Sequence, residues 1–441
     1  LVIPNTKTNK ILAILMAFLL FSIPVFSIKT GEVQAASPGL NLNVKSAILV
    51  EATTGKILYK YNENQAFPPA SMTKMMTEYL VLEAIKNHKI SWDQVIPADE
   101  YAAFIAKAGG SSSAVLLAVG EKHTVKELYE AMAIYSANDA TVLLAEAVAG
   151  SEANFVKAMN DKAKLFGMTQ SHFATSTGFP VNELGQYAPP ATGGDNMMSA
   201  RDCAIMAKRL ITDYPEVLQT TSIPKKMFRV SPRPFRMDNW NWMLPGLVSY
   251  YQGVDGLKTG HTNEAKYCFT GTAQRGNVRL ITVVMGTDTF LSRFGETRKL
   301  LDYGFSTYTM QPLAHKGQVV KGSEQATVQN GQDTVVNAVA GKDVVYPVKR
   351  GEEQAYKLKG TLKTVDAPVQ KGQPLGTINV VGLNGQPDDF LTPADQQTAG
   401  GTLVAQDSVD KGSWIRLAFR SFTHFIGSLF SGLGHMIKSW I

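Results

Sequence analysis

Residues 68–87 read PPASMTKMMTEYLVLEAIKN. Pro68 and Pro69 close an extended pattern, because proline cannot donate to a strand ladder. Ser71 then opens a helical stretch in which Met75, Tyr79, Leu82 and Ile85 recur at helical spacing. Upstream, residues 44–61 alternate around Thr54-Gly55 and predict a β-hairpin. Downstream, periodicity predicts helices over about 125–135, 139–148, 152–166 and 199–210, the third ended by Gly167. Residues 267–273 and 280–285 read as adjacent strands joined by Gln274-Arg275-Gly276-Asn277. Strands, a helical block, then strands again make an α+β domain, with one antiparallel sheet built from both ends of the segment and flanked by helices.

The whole chain has 441 residues, room for two or three domains. Its 44% hydrophobic and 18% charged residues exclude a disordered or fibrous protein. Two cysteines, Cys203 and Cys268, are too few for a disulfide scaffold or a cysteine-built metal site. The seven histidines form no HExxH pair, so no metal is expected. A net charge of +6 is mild and spread out, without a basic stripe interleaved with aromatics, so nucleic acid is not an expected partner.

Lys7 and Lys10 precede an apolar run, Ile11–Ser27, followed by Val33-Gln34-Ala35. A basic start, an apolar middle and a small-residue exit predict an export signal over residues 1–35, cut after Ala35. A retained N-terminal anchor is the alternative. Export places the working site outside the cytoplasm, and no Gly-rich phosphate loop is present, so no cofactor is expected. The α+β domain then covers residues 36–311. Short β-rich runs alternating with Gly-containing turns predict a small all-β domain over 312–383. Residues 384–411, rich in Asn, Gly, Gln, Pro and Asp, read as a linker. In 412–441, Ile415, Phe419, Phe422, Leu429, Leu433 and Trp440 share one helical face, opposite Arg416, Arg420 and Lys438. That pattern predicts an amphipathic helix lying on a membrane surface. The alternative is a helix docked on its own protein.

Ser71-Met72-Thr73-Lys74 is an SxxK motif. At i and i+3 the two side chains share a helix face, so the amine reaches the hydroxyl. A serine hydroxyl needs an adjacent base, and burial would make Lys74 one by penalising its charged form. SxxK also occurs at Ser222–Lys225 and Ser408–Lys411, but only Ser71 opens a helix. Ser136-Ala137-Asn138 falls on the break between two helices. Lys258-Thr259-Gly260 reads as a strand edge, where Gly260 removes bulk from a closely approached backbone. A second Lys-Thr-Gly, residues 29–31, lies in the export signal.

In this order the three motifs resemble those of the penicillin-interacting serine enzymes. The match is closest to low-molecular-mass penicillin-binding proteins acting as D-alanyl-D-alanine carboxypeptidases. It rests on Pro69–Lys74, Gly109–Ser112, Ser136–Ala140 and Asp255–Thr262, with a β-rich C-terminal domain and a terminal amphipathic segment. The resemblance implies a serine β-lactamase/transpeptidase-like fold and a peptidoglycan stem peptide ending in D-Ala-D-Ala as substrate. It implies that Ser71 attacks the penultimate D-alanine carbonyl and Lys74 takes its proton. Ser136 would relay a proton to the leaving D-alanine, and Asn138 would bind the substrate backbone. Lys258, Thr259 and Thr262, with Gly260 on the same substrate-binding strand, would face the substrate carboxylate, and the oxyanion would sit between the backbone N–H groups of Ser71 and His261. β-Lactam antibiotics would acylate Ser71. Arg233 and Arg236 are candidates for the carboxylate, and Asp195 for a loop role. A β-lactamase, with Glu183 or Glu216 as loop glutamate, a transpeptidase and an idle cell-wall scaffold are the competing readings.

Overall fold

Gly55 turns the first hairpin with a φ of 73°, in the left-handed region open to glycine. Its strands, Ser46–Glu51 and Ile57–Tyr61, are the first two of a five-stranded antiparallel sheet. The order runs Ile57–Tyr61, Ser46–Glu51, Val278–Thr287, Lys266–Arg275, Val254–Thr262, so both ends of the segment do build one sheet. The structure, a computed structural model, describes residues 39–108, 113–189, 193–231, 233–382, 388–419 and 422–423. The export signal, the Lys29–Gly31 motif and Gly109–Ser112 lie outside the described residues, as does most of 412–441.

Side chains alternate across a strand, and here both faces are covered. Ile48 and Val50 join Ile281 and Val283 in a core shared with the helical block. Ala47 and Leu49 join Leu280 and Val284 in a second core on the other face. The helical block contains Lys74–Lys86, Val125–Tyr135, Asn138–Ala149, Glu152–Phe166 and Ala200–Asp213. Thr124 and Glu127 form a reciprocal capping box at the start of Val125–Tyr135. The second core is closed by Ser292–Thr307, a helix the apolar pattern did not predict. Its buried face includes Arg293 and Glu296 beside Phe294, Leu300 and Leu301, and Gly304 interrupts it, so the periodicity is blurred.

The expected boundary at 311/312 falls inside the strand Tyr308–Ala314, which pairs with Val344–Lys349. Beyond it lies a six-stranded sheet ordered Tyr356–Leu362, Pro374–Gly382, Thr402–Ala405, Val335–Ala340, Gln325–Gln329, Val365–Asp366. Thr402–Ala405 corrects the linker reading of 384–411. It is an interior strand with Leu403 and Ala405 buried, preceded by the helix Pro393–Ala399. Thr392 caps that helix and Pro393 opens it, a start signal hidden among turn-forming residues. The same segment fastens the two domains together. Lys56 Nζ lies 2.8 Å from Asp388, Arg201 donates to the Phe390 carbonyl at 2.7 Å, and Lys208 pairs with Asp395 at 2.6 Å. Among the described residues, no helix is long and apolar enough to cross a membrane.

Candidate active site

Ser71 sits in a 3₁₀ turn, Ala70–Thr73, that runs into the helix Lys74–Lys86. The sequence reading placed it on the α-helix itself; the tighter turn comes first because Pro69 and Ala70 lead in, with Ala70 at a φ of 48°. Two glycines let neighbouring backbones close on this turn. A Cβ on Gly178 would stand 1.9 Å from the Ala70 carbonyl oxygen, and one on Gly260 would stand 2.3 Å from that of Pro69. Gly260 therefore makes room for the protein's own nucleophile turn, where the sequence suggested room for a ligand backbone.

Lys74 Nζ lies 2.9 Å from Ser71 Oγ, 2.7 Å from Asn138 Oδ1 and 2.9 Å from the Thr177 carbonyl. The last two are acceptors only, so they take two N–H groups. A neutral amine has two such donors and one lone pair, which is left facing the serine hydroxyl. Burial holds Lys74 well below the usual lysine range, and the nearby Lys258 charge pushes the same way. The Thr177 carbonyl is held by its surroundings. Asn196 Oδ1 accepts from the Ala174 and Thr175 N–H groups at 2.7 and 2.8 Å, while its amide donates to Thr73 Oγ1 at 2.9 Å. Thr77 Oγ1 donates to the Ser176 carbonyl at 2.6 Å. Neither Asn196 nor Thr177 belongs to a motif, so the sequence did not mark them.

Ser136 ends the helix Val125–Tyr135 in the left-handed region, at a φ of 64°. Past that reversal Ser136 and Asn138 line the same cavity, and Lys258 Nζ donates to Ser136 Oγ at 2.7 Å and to the Thr259 carbonyl at 3.1 Å. Burial pushes Lys258 down to about 7, against the pull of Glu78. The strand Val254–Thr262 that carries it is a sheet edge, as read from Lys258-Thr259-Gly260.

A cavity of about 370 Å³ opens above these groups, lined by Ser71, Ser136, Asn138, Thr259, Gly260, His261 and Thr262, with both lysines beneath. The His261 ring stacks on Tyr267, with centroids 4.2 Å apart. Arg233 and Arg236 are exposed and do not line the cavity; Arg236 pairs with Asp238 at 3.0 Å. Arg293 does line it. It is buried among Tyr267, Phe290 and Phe294, and its Nε has no hydrogen-bond partner among the described residues. The unpredicted helix carries it, so the sequence reading missed it. Glu183 lines the cavity, Glu216 does not, and Asp195 accepts the Val181 N–H at 2.8 Å. The other SxxK serines act elsewhere: Ser222 caps the helix Val217–Thr221, and Ser408 Oγ accepts the Lys371 N–H.

Residues 32–289 match the family model of D-alanyl-D-alanine carboxypeptidase, and residues 308–409 match the C-terminal domain of penicillin-binding protein 5. The D-alanyl-D-alanine carboxypeptidase DacF of Bacillus subtilis is 39% identical, with 76% of this chain and 80% of that protein covered. A crystal structure of a peptidoglycan synthesis regulatory factor (PBP3) from Streptococcus pneumoniae is similar with a TM-score of 0.69 and 32% identity, over 83% of this chain and 99% of that one. Penicillin-binding protein D2 from Listeria monocytogenes in its ampicillin-bound form is similar with a TM-score of 0.51 and 34% identity, over 61% of this chain and all (100%) of that one.

Proposed function

The chain belongs to the D-alanyl-D-alanine carboxypeptidase family, and from that premise we propose that Ser71 is the nucleophile of a serine enzyme that removes the terminal D-alanine from peptidoglycan stem peptides. The observation that carries this reading is the hydrogen-bonding of Lys74, which leaves one position of its amine facing Ser71 Oγ at 2.9 Å. As Ser71 Oγ bonds to the penultimate D-alanine carbonyl carbon, its proton passes to Lys74. The oxyanion is received by the backbone N–H groups of Ser71 and His261, each such donor being worth about 3–4 kcal/mol in a transition state. The C–N bond then breaks, and Ser136, bonded to Lys258, hands a proton to the departing D-alanine nitrogen. Water then attacks the acyl carbon, its proton replacing the one Ser136 gave up, and the acyl–oxygen bond breaks as Lys74 returns its proton to Ser71 Oγ.

Asn138 holds the substrate backbone while Thr259 and Thr262 line the end that takes its carboxylate. Arg293 supplies the positive charge there: it is a buried cation that lines the cavity, and a guanidinium suits a carboxylate. β-Lactams acylate Ser71 in place of the peptide, a reading supported by the likeness to the ampicillin-bound relative. The pattern of residues 1–35 supports export. The exposed Trp414, Ile415, Phe419 and Phe422 support attachment to the outer face of the cytoplasmic membrane through 412–441. The test of the activity is release of D-alanine from a peptide ending in D-Ala-D-Ala. Wild type releases it and Ser71→Ala does not; equal release from both would overturn the reading.

A further inference from the structure

Two lysines, Lys74 and Lys258, are buried side by side, and every hydrogen-bond partner they have is uncharged. Lys74 has Ser71, Asn138 and the Thr177 carbonyl; Lys258 has Ser136 and the Thr259 carbonyl. A buried cation needs a counter-charge, so the supply of buried acids around the pair matters. Asp139 is committed elsewhere, accepting from the backbone N–H groups of Val115 and Leu117 at 3.1 Å and of Ala140 at 3.0 Å. Among the described residues, Glu78 is the buried acid that remains beside the pair. It lies one helical turn beyond Lys74, on the same face of the helix Lys74–Lys86. It is fully buried, and neither carboxyl oxygen has a hydrogen-bond partner among the described residues. An uncommitted buried carboxylate is costly, and Glu78 closes no hydrogen bond in the described packing around it.

We propose that Glu78 is a positioning residue for the reaction: its buried carboxylate is the counter-charge that keeps the proton on Lys258, and the Lys258 cation in turn leaves Lys74 unprotonated. This rests on the roles given above to Ser71 and Lys74. The electrostatics run the same way. Glu78 is the strongest charge acting on Lys258, opposing both burial and Arg293, and it acts on Lys74 after Lys258 and Asp139. Burial raises Glu78 itself, against the pull of Lys258 and then Lys74. The other groups facing it do not supply the charge. Tyr129, from the helix Val125–Tyr135, is a buried phenol whose hydroxyl has no hydrogen-bond partner among the described residues, and burial raises it further. On the flanking helices, Lys162 pairs with Glu83 and Arg209 with Asp213.

The sign follows from the charge. Removing a carboxylate lowers the pKa of both lysines, Lys258 more than Lys74. The test is the pH profile of kcat/KM for a peptide ending in D-Ala-D-Ala, in wild type, Glu78→Gln and Glu78→Leu. Both variants are expected to move the alkaline limb, set by loss of the Lys258 cation, down by about one pH unit or more. The acid limb, set by protonation of Lys74, is expected to move down by less. Glu78→Leu leaves no unsatisfied polar atom, so it keeps the test usable where the amide variant folds poorly. Unmoved limbs with only a uniform loss of rate would overturn the proposal. So would an equal shift in Tyr129→Phe, which changes no charge. A wild type that releases no D-alanine would instead refute the catalytic reading, which distinguishes the two failures.

Discussion

Replacing Lys74 by methionine removes the amine while keeping an unbranched apolar stem in a fully buried site. Three contacts are lost, at 2.9 Å to Ser71, 2.7 Å to Asn138 and 2.9 Å to Thr177. Asn138 Oδ1 and the Thr177 carbonyl are left without this donor, at about 1–3 kcal/mol each. Against that, burying a lysine carries its own desolvation cost, which methionine does not have. The net change in stability at neutral pH is therefore expected to be small beside the change in rate. General-base assistance contributes about 10²–10⁴, and the loss should fall on acylation, with initial binding of the antibiotic little altered. The assay is the rate of covalent penicillin incorporation, followed by intact-protein mass spectrometry across a range of antibiotic concentrations. Wild-type acylation should fall as pH drops through the depressed Lys74 range, and that dependence should vanish in the variant. Stability gives an independent check. The unfolded chain binds the Lys74 proton up to its ordinary value of 10.5, whereas the folded chain loses it well below that. Folding therefore gains stability as pH rises through this window, and Lys74→Met should flatten that gain. Equal acylation rates in the two proteins would remove Lys74 from the base role.

Arg293→Gln should lower kcat/KM for a D-Ala-D-Ala peptide by about 10- to 150-fold, the value of a hydrogen bond to a charged group. Turnover of the same peptide carrying a C-terminal amide should hardly change; an equal loss on both would mean that Arg293 does not read the carboxylate. Gly178→Ala places a methyl against the Ala70 carbonyl at 1.9 Å and should lower both Tm and penicillin acylation. Gly295→Ala, in the helix Ser292–Thr307 with no described atom within 4 Å of the added methyl, should keep or raise Tm in the same melting experiment. Deleting residues 412–441 should release the protein from membranes in a fractionation experiment and leave D-alanine release intact. Continued sedimentation with membranes would refute attachment through that segment.

Much of the catalytic fold was legible because its signals are local and strong. The alternation on either side of Gly55 and the stop at Gly167 each fix an element without help from distant contacts. The three motifs were legible because their chemistry demands particular residue types in a fixed order. What was not legible depends on tertiary context. Arg293 reaches the cavity from a helix whose buried face carries charges, and a buried arginine does not advertise itself in a hydrophobic pattern. Asn196 and Thr177 act through an amide and a backbone carbonyl, which any loop could have offered. Thr402–Ala405 is too short for alternation to separate a strand from a loop, and it is a strand because Val335–Ala340 and Pro374–Gly382 flank it. Glu78 looked like an ordinary helix residue, since burial without a partner is visible only in three dimensions.

The central claim is that Ser71 is the one serine activated for attack. Peptide mapping by tandem mass spectrometry, on the full-length protein after incubation with penicillin, tests it most directly. A single adduct on Ser71, within the peptide that includes Lys74, is the expected result. An adduct on Ser136, Ser222 or Ser408, or no adduct at all, would contradict it.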